Sequence, residues 1–259
     1  MATGTGPGER AGADAPAHRE LLDRALDDVL APWKVHHGPL VILFSGGVDS
    51  GLLAWELRDR PSTALATIGL RDAPDLLAAE AAARPVGLPW SGTIVSEADL
   101  GAALRRMSEE LAGLPVSRQS IFLALAVAID RAPAGDLLCG QGADELFLGY
   151  GHFRGVPVDV AAARAAADLD RLLHDDWPRT VRIAGRLGRR VHAPFLEPGF
   201  VRAALGIPVV DRMPRPVPKA YWRAWARSRG VPAELADRPK RALQFGTGVD
   251  AWLRRTHAR

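Results

Sequence analysis

Leu40-Val41-Ile42-Leu43-Phe44-Ser45-Gly46-Gly47-Val48-Asp49-Ser50 is the stretch that decides the fold. An apolar run of strand length meets two glycines, and Leu52-Leu53-Ala54-Trp55-Glu56-Leu57 behind them reads as a helix. A buried strand, a glycine turn and a helix start together make an anion site. The helix N-terminus offers unpaired N–H groups and the positive end of its dipole, and glycine lets a phosphate reach them. Ser45 and Ser50 add hydroxyl donors, while Asp49 can hold a metal ion on the same phosphates. The Walker arrangement is excluded, because it needs Lys directly before the final Ser or Thr, where this chain has Asp49.

Outward from this loop, residues 64–70, 89–95 and 136–139 read as three further buried strands. Helical patterns fill 75–84, 99–112 and 117–130 between them. This alternation predicts an α/β fold, a parallel sheet with helices on both faces, and ligands beyond the carboxyl ends of the strands. An opening helix is expected over 18–30, ended by Pro32. After Gly151 the pattern turns helical (160–174, 178–187 and a Trp-rich 217–230), with Pro-rich joints at 194–198 and 214–218. The expected organisation is a disordered tail over 1–17, one domain over 18–253 and a short tail over 254–259. Within the domain, a sheet core occupies about 38–151 and a mainly helical part about 152–253.

Composition narrows the class. Of the 259 residues 47% are hydrophobic and 24% charged, as in ordinary globular proteins. The formal net charge is +3, and Lys34, Lys219 and Lys240 are the only lysines, so Arg carries the positive charge. The Arg-rich stretches 182–190 and 254–259 lack interleaved aromatics and read as solvated faces; no nucleic-acid partner is expected. Cys139 is the single cysteine, which excludes an intrachain disulfide and an all-cysteine zinc site and fits a cytoplasmic location. No apolar run approaches the roughly 18–20 residues of a membrane span.

A second loop repeats the logic of the first. In Leu137-Leu138-Cys139-Gly140-Gln141-Gly142-Ala143-Asp144-Glu145-Leu146-Phe147 a strand ends, glycines permit close approach, and acidic residues open a helix. Asp144 can share a magnesium ion with Asp49, since polyphosphate-bound Mg²⁺ takes one or two carboxylates.

The SGGVDS loop resembles that of ATP pyrophosphatases. GADELFLGY after LLCGQ resembles the LLSGEGADELFGGY segment of the asparagine synthetase C-terminal domain. LATIGLRDAPDLLAAEAAARPVGLPW, RLGRRVHAPFLEPGF and RPKRALQFGTGVDAWL are similar to further stretches of that family, in the family's order. The resemblance implies the PP-loop (adenine nucleotide alpha hydrolase-like) fold, with ATP and Mg²⁺ as cofactors. It places pyrophosphate on Ser45, Gly46, Gly47, Asp49 and Ser50, and metal on Asp49 and Asp144. Adenosine falls against Phe44, Ile68, Gly69, Cys139 and Gly140, and the substrate against Gln141, Gly142 and Asp144. Lys240 matches the family's catalytic lysine, a compact charge where negative charge builds on the transferring phosphoryl group. Lys219 is a weaker candidate, and Arg190 is expected to brace the loop.

Two departures bear on activity. Ala2 follows Met1, and fewer than forty residues precede the first strand, so the family's cysteine-dependent glutaminase is not expected in this chain. Amide nitrogen would come as ammonia or from a separate glutaminase subunit. Gln141 stands where the family usually has Glu, and Gln can neither take a proton nor supply negative charge. That puts aspartate, the family's default carboxylate, in question. The leading reading is an ATP-dependent amide-forming ligase acting through an acyl-adenylate. The alternatives are a β-lactam-synthetase-like enzyme or other amidotransferase on a specialised-metabolite carboxylate, and a non-catalytic ATP-binding homologue. No Tyr–Glu pair assignable to the β-lactam branch is evident in the sequence. Sulfur transfer would ordinarily need a second cysteine.

Overall fold

The apolar run before the glycines becomes the centre of the sheet. In the computed structural model, which describes residues 15–214, 216–239 and 243–258, the strands are β1 (Leu40–Leu43), β2 (Thr63–Leu70), β3 (Trp90–Val95), β4 (Asp136–Leu138) and β5 (Val191–His192). Their order is β3-β2-β1-β4-β5, and every pairing is parallel. Parallel strands buried on both faces need no polar alternation, which is why β1 is uniformly apolar. Successive side chains still part to opposite sides. Leu40 and Ile42, with Phe44, pack against the helices Ala15–Val35, Val48–Glu56 and Ala220–Ser228. Val41 packs instead with Ile129 and Ala184, from the helices Val116–Arg131 and Trp177–Arg186.

Topology then sets where a ligand can sit. The chain runs outward from β1 through β2 to β3, then crosses to β4 on the other side of β1. The sheet order therefore switches direction between β1 and β4, and the crevice at the carboxyl edge of that point is where a parallel sheet places its ligand.

The structure departs from the sequence expectations in several places. A fifth strand, β5, joins the sheet from the part expected to be helical; its two residues are too few for any periodicity to register. Pro32 does not end the first helix, which continues to Val35. The carbonyl deprived of a partner there belongs to Asp28, an exposed residue, where water can serve it. Pro178 lies at the start of Trp177–Arg186, directly after one π-helical turn, Leu172–Asp176, that joins that helix to Val158–Arg171. The helix expected over 99–112 divides at Met107 into Glu97–Arg106 and Ser108–Leu111. Of the expected tails, residues 15–17 belong to the first helix and 254–257 to the helix Val249–His257; 1–14 and 259 lie outside the described residues.

One guanidinium clamps three helices around β1. Arg229, at the C-terminal end of Ala220–Ser228, pairs with Glu56 through Nε at 2.7 Å and Nη2 at 2.9 Å. The same group reaches Asp27 at 2.7 Å and Asp23 at 3.3 Å on the first helix. Only 9% of the Glu56 side chain is exposed, so its charge depends on this partner. Arg229→Met should therefore cost about 3 kcal/mol, the usual penalty for orphaning one member of a buried pair. Thermal unfolding followed by circular dichroism should show Tm lowered by roughly 6–10 °C, whereas an unchanged Tm would show the clamp to be dispensable.

Candidate functional site

The loop after β1 is folded by its own hydroxyls. Gly46 takes φ of +68°, the left-handed region that glycine enters without strain, and a Cβ there would meet Ala79 Cα at 3.0 Å. The Ser45 amide donates to Ser50 Oγ at 3.1 Å, and the Gly47 amide to Ser45 Oγ at 3.4 Å. Gly47 precedes the helix Val48–Glu56, and no side chain caps that helix, so its first N–H groups face the crevice.

The loop after β4 is pressed onto this helix start. A Cβ on Gly140 would stand 2.8 Å from Asp49 Cβ and 3.1 Å from the Ser50 nitrogen, so only glycine lets the two loops meet. Gly142 has φ of +98° and packs against Leu196. Asp144 lies just beyond, in the short helix Ala143–Leu146. Gln141 is half-buried, and Cys139 Sγ donates toward its Oε1 at 3.7 Å. Burial pushes the Cys139 thiol up to about 12, which leaves it protonated and non-nucleophilic.

Asp49 and Asp144 do come together, and a lysine stands between them. Lys219 Nζ lies 2.8 Å from both carboxylate oxygens of Asp49 and 2.6 Å from Asp144 Oδ1. Trp222 Nε1 donates to Asp49 Oδ1 at 3.0 Å. Lys219 is 2% exposed and Asp49 5%, so this pair is cut off from water, while the Asp144 side chain keeps 22% of its surface exposed. Gly149 makes room for it, since a Cβ there would collide with the Lys219 stem and with Asp144. Behind Asp144, burial and the neighbouring carboxylate push Glu145 up to about 7, and the Tyr150 hydroxyl donates to it.

A second cation sits on the loop itself. Arg238 Nη1 donates to the Ser45 carbonyl at 2.9 Å, and its guanidinium lies 3.9 Å from Asp75. Arg223 ties both cation-bearing segments together, donating to the carbonyls of Pro218, Ala236 and Arg238.

Most residues expected at the site are gathered there, with differences in how they face it. Ile68 is buried with Val249 and Leu253, and Phe44 in the core around Val48–Glu56, so their side chains serve packing. Gly69 abuts Ala73, whose Cβ would lie 2.7 Å from an added Cβ. Lys240 lies outside the described residues. Arg190 does not brace the loop; its Nε holds Asp136 at 2.7 Å, at the opposite end of β4. The sequence reading undervalued Lys219 and missed Trp222, Arg238 and Gly149. The available signal was the Lys219/Trp222 spacing, which places both on one turn after a Pro-rich joint.

A magnesium ion fits this donor set. Both carboxylates reach one nitrogen, so one cation spans them, and a phosphate-bound Mg²⁺ needs only one or two carboxylates. Among the described residues, no group of three or more His, Cys, Asp and Glu side chains could hold a metal alone, and no helix is long and apolar enough to cross a membrane.

Comparison with known proteins places the chain in a family. The family described as asparagine synthase matches residues 18–165 and 159–259. The asparagine synthetase (glutamine-hydrolyzing) of Gallus gallus is 28% identical over 227 residues, covering 81% of this chain and 40% of that protein. The protein of the same name from Mesocricetus auratus is 29% identical over 234 residues, covering 83% and 41%. The chain thus spans well under half the length of these relatives. Among solved structures, the NH3-dependent NAD synthetase from Campylobacter jejuni is similar at TM-score 0.40 and 14% identity, over 66% of this chain and 93% of that one, too distant to bear on the site.

Gly140→Ala tests the contact between the two loops. Forcing them apart should weaken triphosphate binding roughly ten- to hundredfold, the scale of an ångström's misplacement. Titration calorimetry with a non-hydrolysable ATP analogue measures this, and wild-type affinity would show that the loops need not touch.

Proposed function

Because the chain belongs to the asparagine synthase family, we propose that it forms a C–N bond by activating a carboxylate with ATP. The observation that carries this reading is the meeting of Asp49 and Asp144 at one point beside an uncapped helix start. That pairing suits a triphosphate that must be held, neutralised and attacked in line.

The triphosphate lies on the Ser45–Ser50 loop, with β- and γ-phosphates toward the N–H groups of Val48–Glu56. By resemblance to the family, adenine lies against the backbone of Ile68 and Gly69. A carboxylate oxygen of the substrate attacks the α-phosphorus, the bond to the β-phosphate bridging oxygen breaks, and pyrophosphate leaves. The acyl-adenylate then meets a nitrogen nucleophile; the new C–N bond forms, AMP departs with the C–O electron pair, and the nitrogen gives up a proton. Magnesium held by Asp49 and Asp144 would offset charge on the phosphates. Lys219, Arg238 and, by resemblance, Lys240 supply positive charge for the oxygens on which it builds.

Gln141 bears on the substrate. With its Oε1 turned to the Cys139 thiol, its amide N–H groups point elsewhere, a donor suited to an acceptor group and not to an ammonium. An acid other than aspartate fits this better, with nitrogen from ammonia, a separate glutaminase subunit or an amine within the substrate. The same Gln141 gives support to a second reading, a nucleotide-binding homologue without turnover.

Pyrophosphate release with ATP, Mg²⁺ and a panel of carboxylic acids, with and without ammonium, separates these readings. Release dependent on a carboxylate is expected, and Asp144→Asn should reduce it about a hundredfold or more, the scale of losing one preorganised electrostatic contact. No release across a broad panel, with ATP still bound, would favour the second reading. Lys240→Ala should abolish release while largely sparing ATP binding; undiminished release would remove Lys240 from the chemistry.

A further inference from the structure

The Lys219 ammonium stands where a metal ion joining Asp49 and Asp144 would have to stand. We infer that Lys219 is a displaceable place-holder for that ion: it neutralises the two carboxylates in the nucleotide-free protein, keeps divalent ions off them, and yields only when a triphosphate draws it away. Metal then enters with the nucleotide and not before it. This rests on the reading of the site as an ATP site and concerns its order of loading.

Three features of the geometry point this way. The ammonium contacts both Asp49 oxygens and one of Asp144 within 2.8 Å, so a divalent ion at ligand distance from the same oxygens would be pressed against a buried like charge. The Nζ is carried on a flexible stem from a residue with φ of +59°, a left-handed backbone uncommon for a side chain of this kind, next to Pro218 and ahead of the helix Ala220–Ser228. That strained turn aims the lysine inward, and the ammonium leaves the carboxylates by rotation of its stem past Gly149, which carries no side chain to block it. The direction it would take is also built in: the uncapped start of Val48–Glu56, where phosphate binds, begins one residue before Asp49. A phosphate there offers the ammonium new anionic partners, and the vacated oxygens then face the ion that travels with the triphosphate. By linkage, the nucleotide must tighten the metal by the same factor as the metal tightens the nucleotide.

Manganese binding to the full chain, read from the electron paramagnetic resonance signal of free Mn²⁺, tests this without turnover. Lys219→Met should bind Mn²⁺ alone at least about tenfold more tightly than wild type, because the cation bridging both carboxylates is removed. Lys219→Arg should stay weak, and Lys219→Met combined with Asp49→Asn should lose the gain, locating it at this site. A non-hydrolysable ATP analogue should tighten Mn²⁺ far more in wild type than in Lys219→Met. Should Lys219→Met fail to fold by circular dichroism, Lys219→Gln carries the same comparison. Unchanged Mn²⁺ affinity in the folded neutral variant would overturn the inference. If the analogue binds wild type while the variant gains no metal, the place-holder alone falls; if the analogue does not bind wild type at all, the ATP reading falls with it.

Discussion

Asp49, buried, and Asp144, partly exposed, lie close enough to share one cation, and the crevice is organised around that charge. Asp49 arrives on the helix that follows β1, Asp144 on the short helix that follows β4, and Lys219 from the far C-terminal part. Asp49 and Asp144 are brought in by two different crossovers of the parallel sheet, and Lys219 from beyond its last strand. The ion pair therefore reports whether three distant segments have assembled correctly, and it contributes specificity to the fold as much as stability.

The surrounding glycines and tryptophans follow from this. Gly140 and Gly149 are places where two backbones, or a backbone and the lysine stem, approach too closely for a Cβ. Trp222 packs on Trp225 and Phe147 while its N–H holds Asp49, so one side chain serves both the core and the charge cluster. Arg223 satisfies loop carbonyls that would otherwise be buried unpaired, and so fixes Lys219 and Arg238 relative to each other. The positions of the two cations are consequently not independent.

What was legible in the sequence was local. The Ser45–Ser50 loop announces itself because strand, glycine turn and helix start are contiguous, and the Gly140–Asp144 loop repeats the same grammar. Both loops fall where read, as do four of the strands and their parallel pairing. Lys219 was not legible as a partner of Asp49, because 170 positions separate them and the turn that aims it inward is a left-handed residue with no glycine to mark it. Arg238 escaped for a related reason: arginine is so common in this chain that one more carries no signal. The β5 strand is too short for periodicity, and only its pairing with β4 defines it.

Charge accounting links the resting arrangement to the proposed chemistry. A triphosphate laid beside Asp49 and Asp144 adds more negative charge than one divalent ion offsets, so the protein must contribute cations of its own. A lysine used only as a permanent counter-ion of the two carboxylates could not do so, because its charge would already be committed. A lysine that exchanges places with the metal can: the metal takes over the carboxylates, and the ammonium is freed to face the phosphates. The same residue then offsets the repulsion between the two carboxylates in the ATP-free crevice and helps to neutralise the nucleotide once it arrives. An arginine would serve poorly here, since its planar fork binds best in one fixed bidentate pose, whereas an ammonium is a compact charge on a flexible stem that can rotate from one set of oxygens to another. This explains why a chain that uses arginine almost everywhere keeps lysine at position 219.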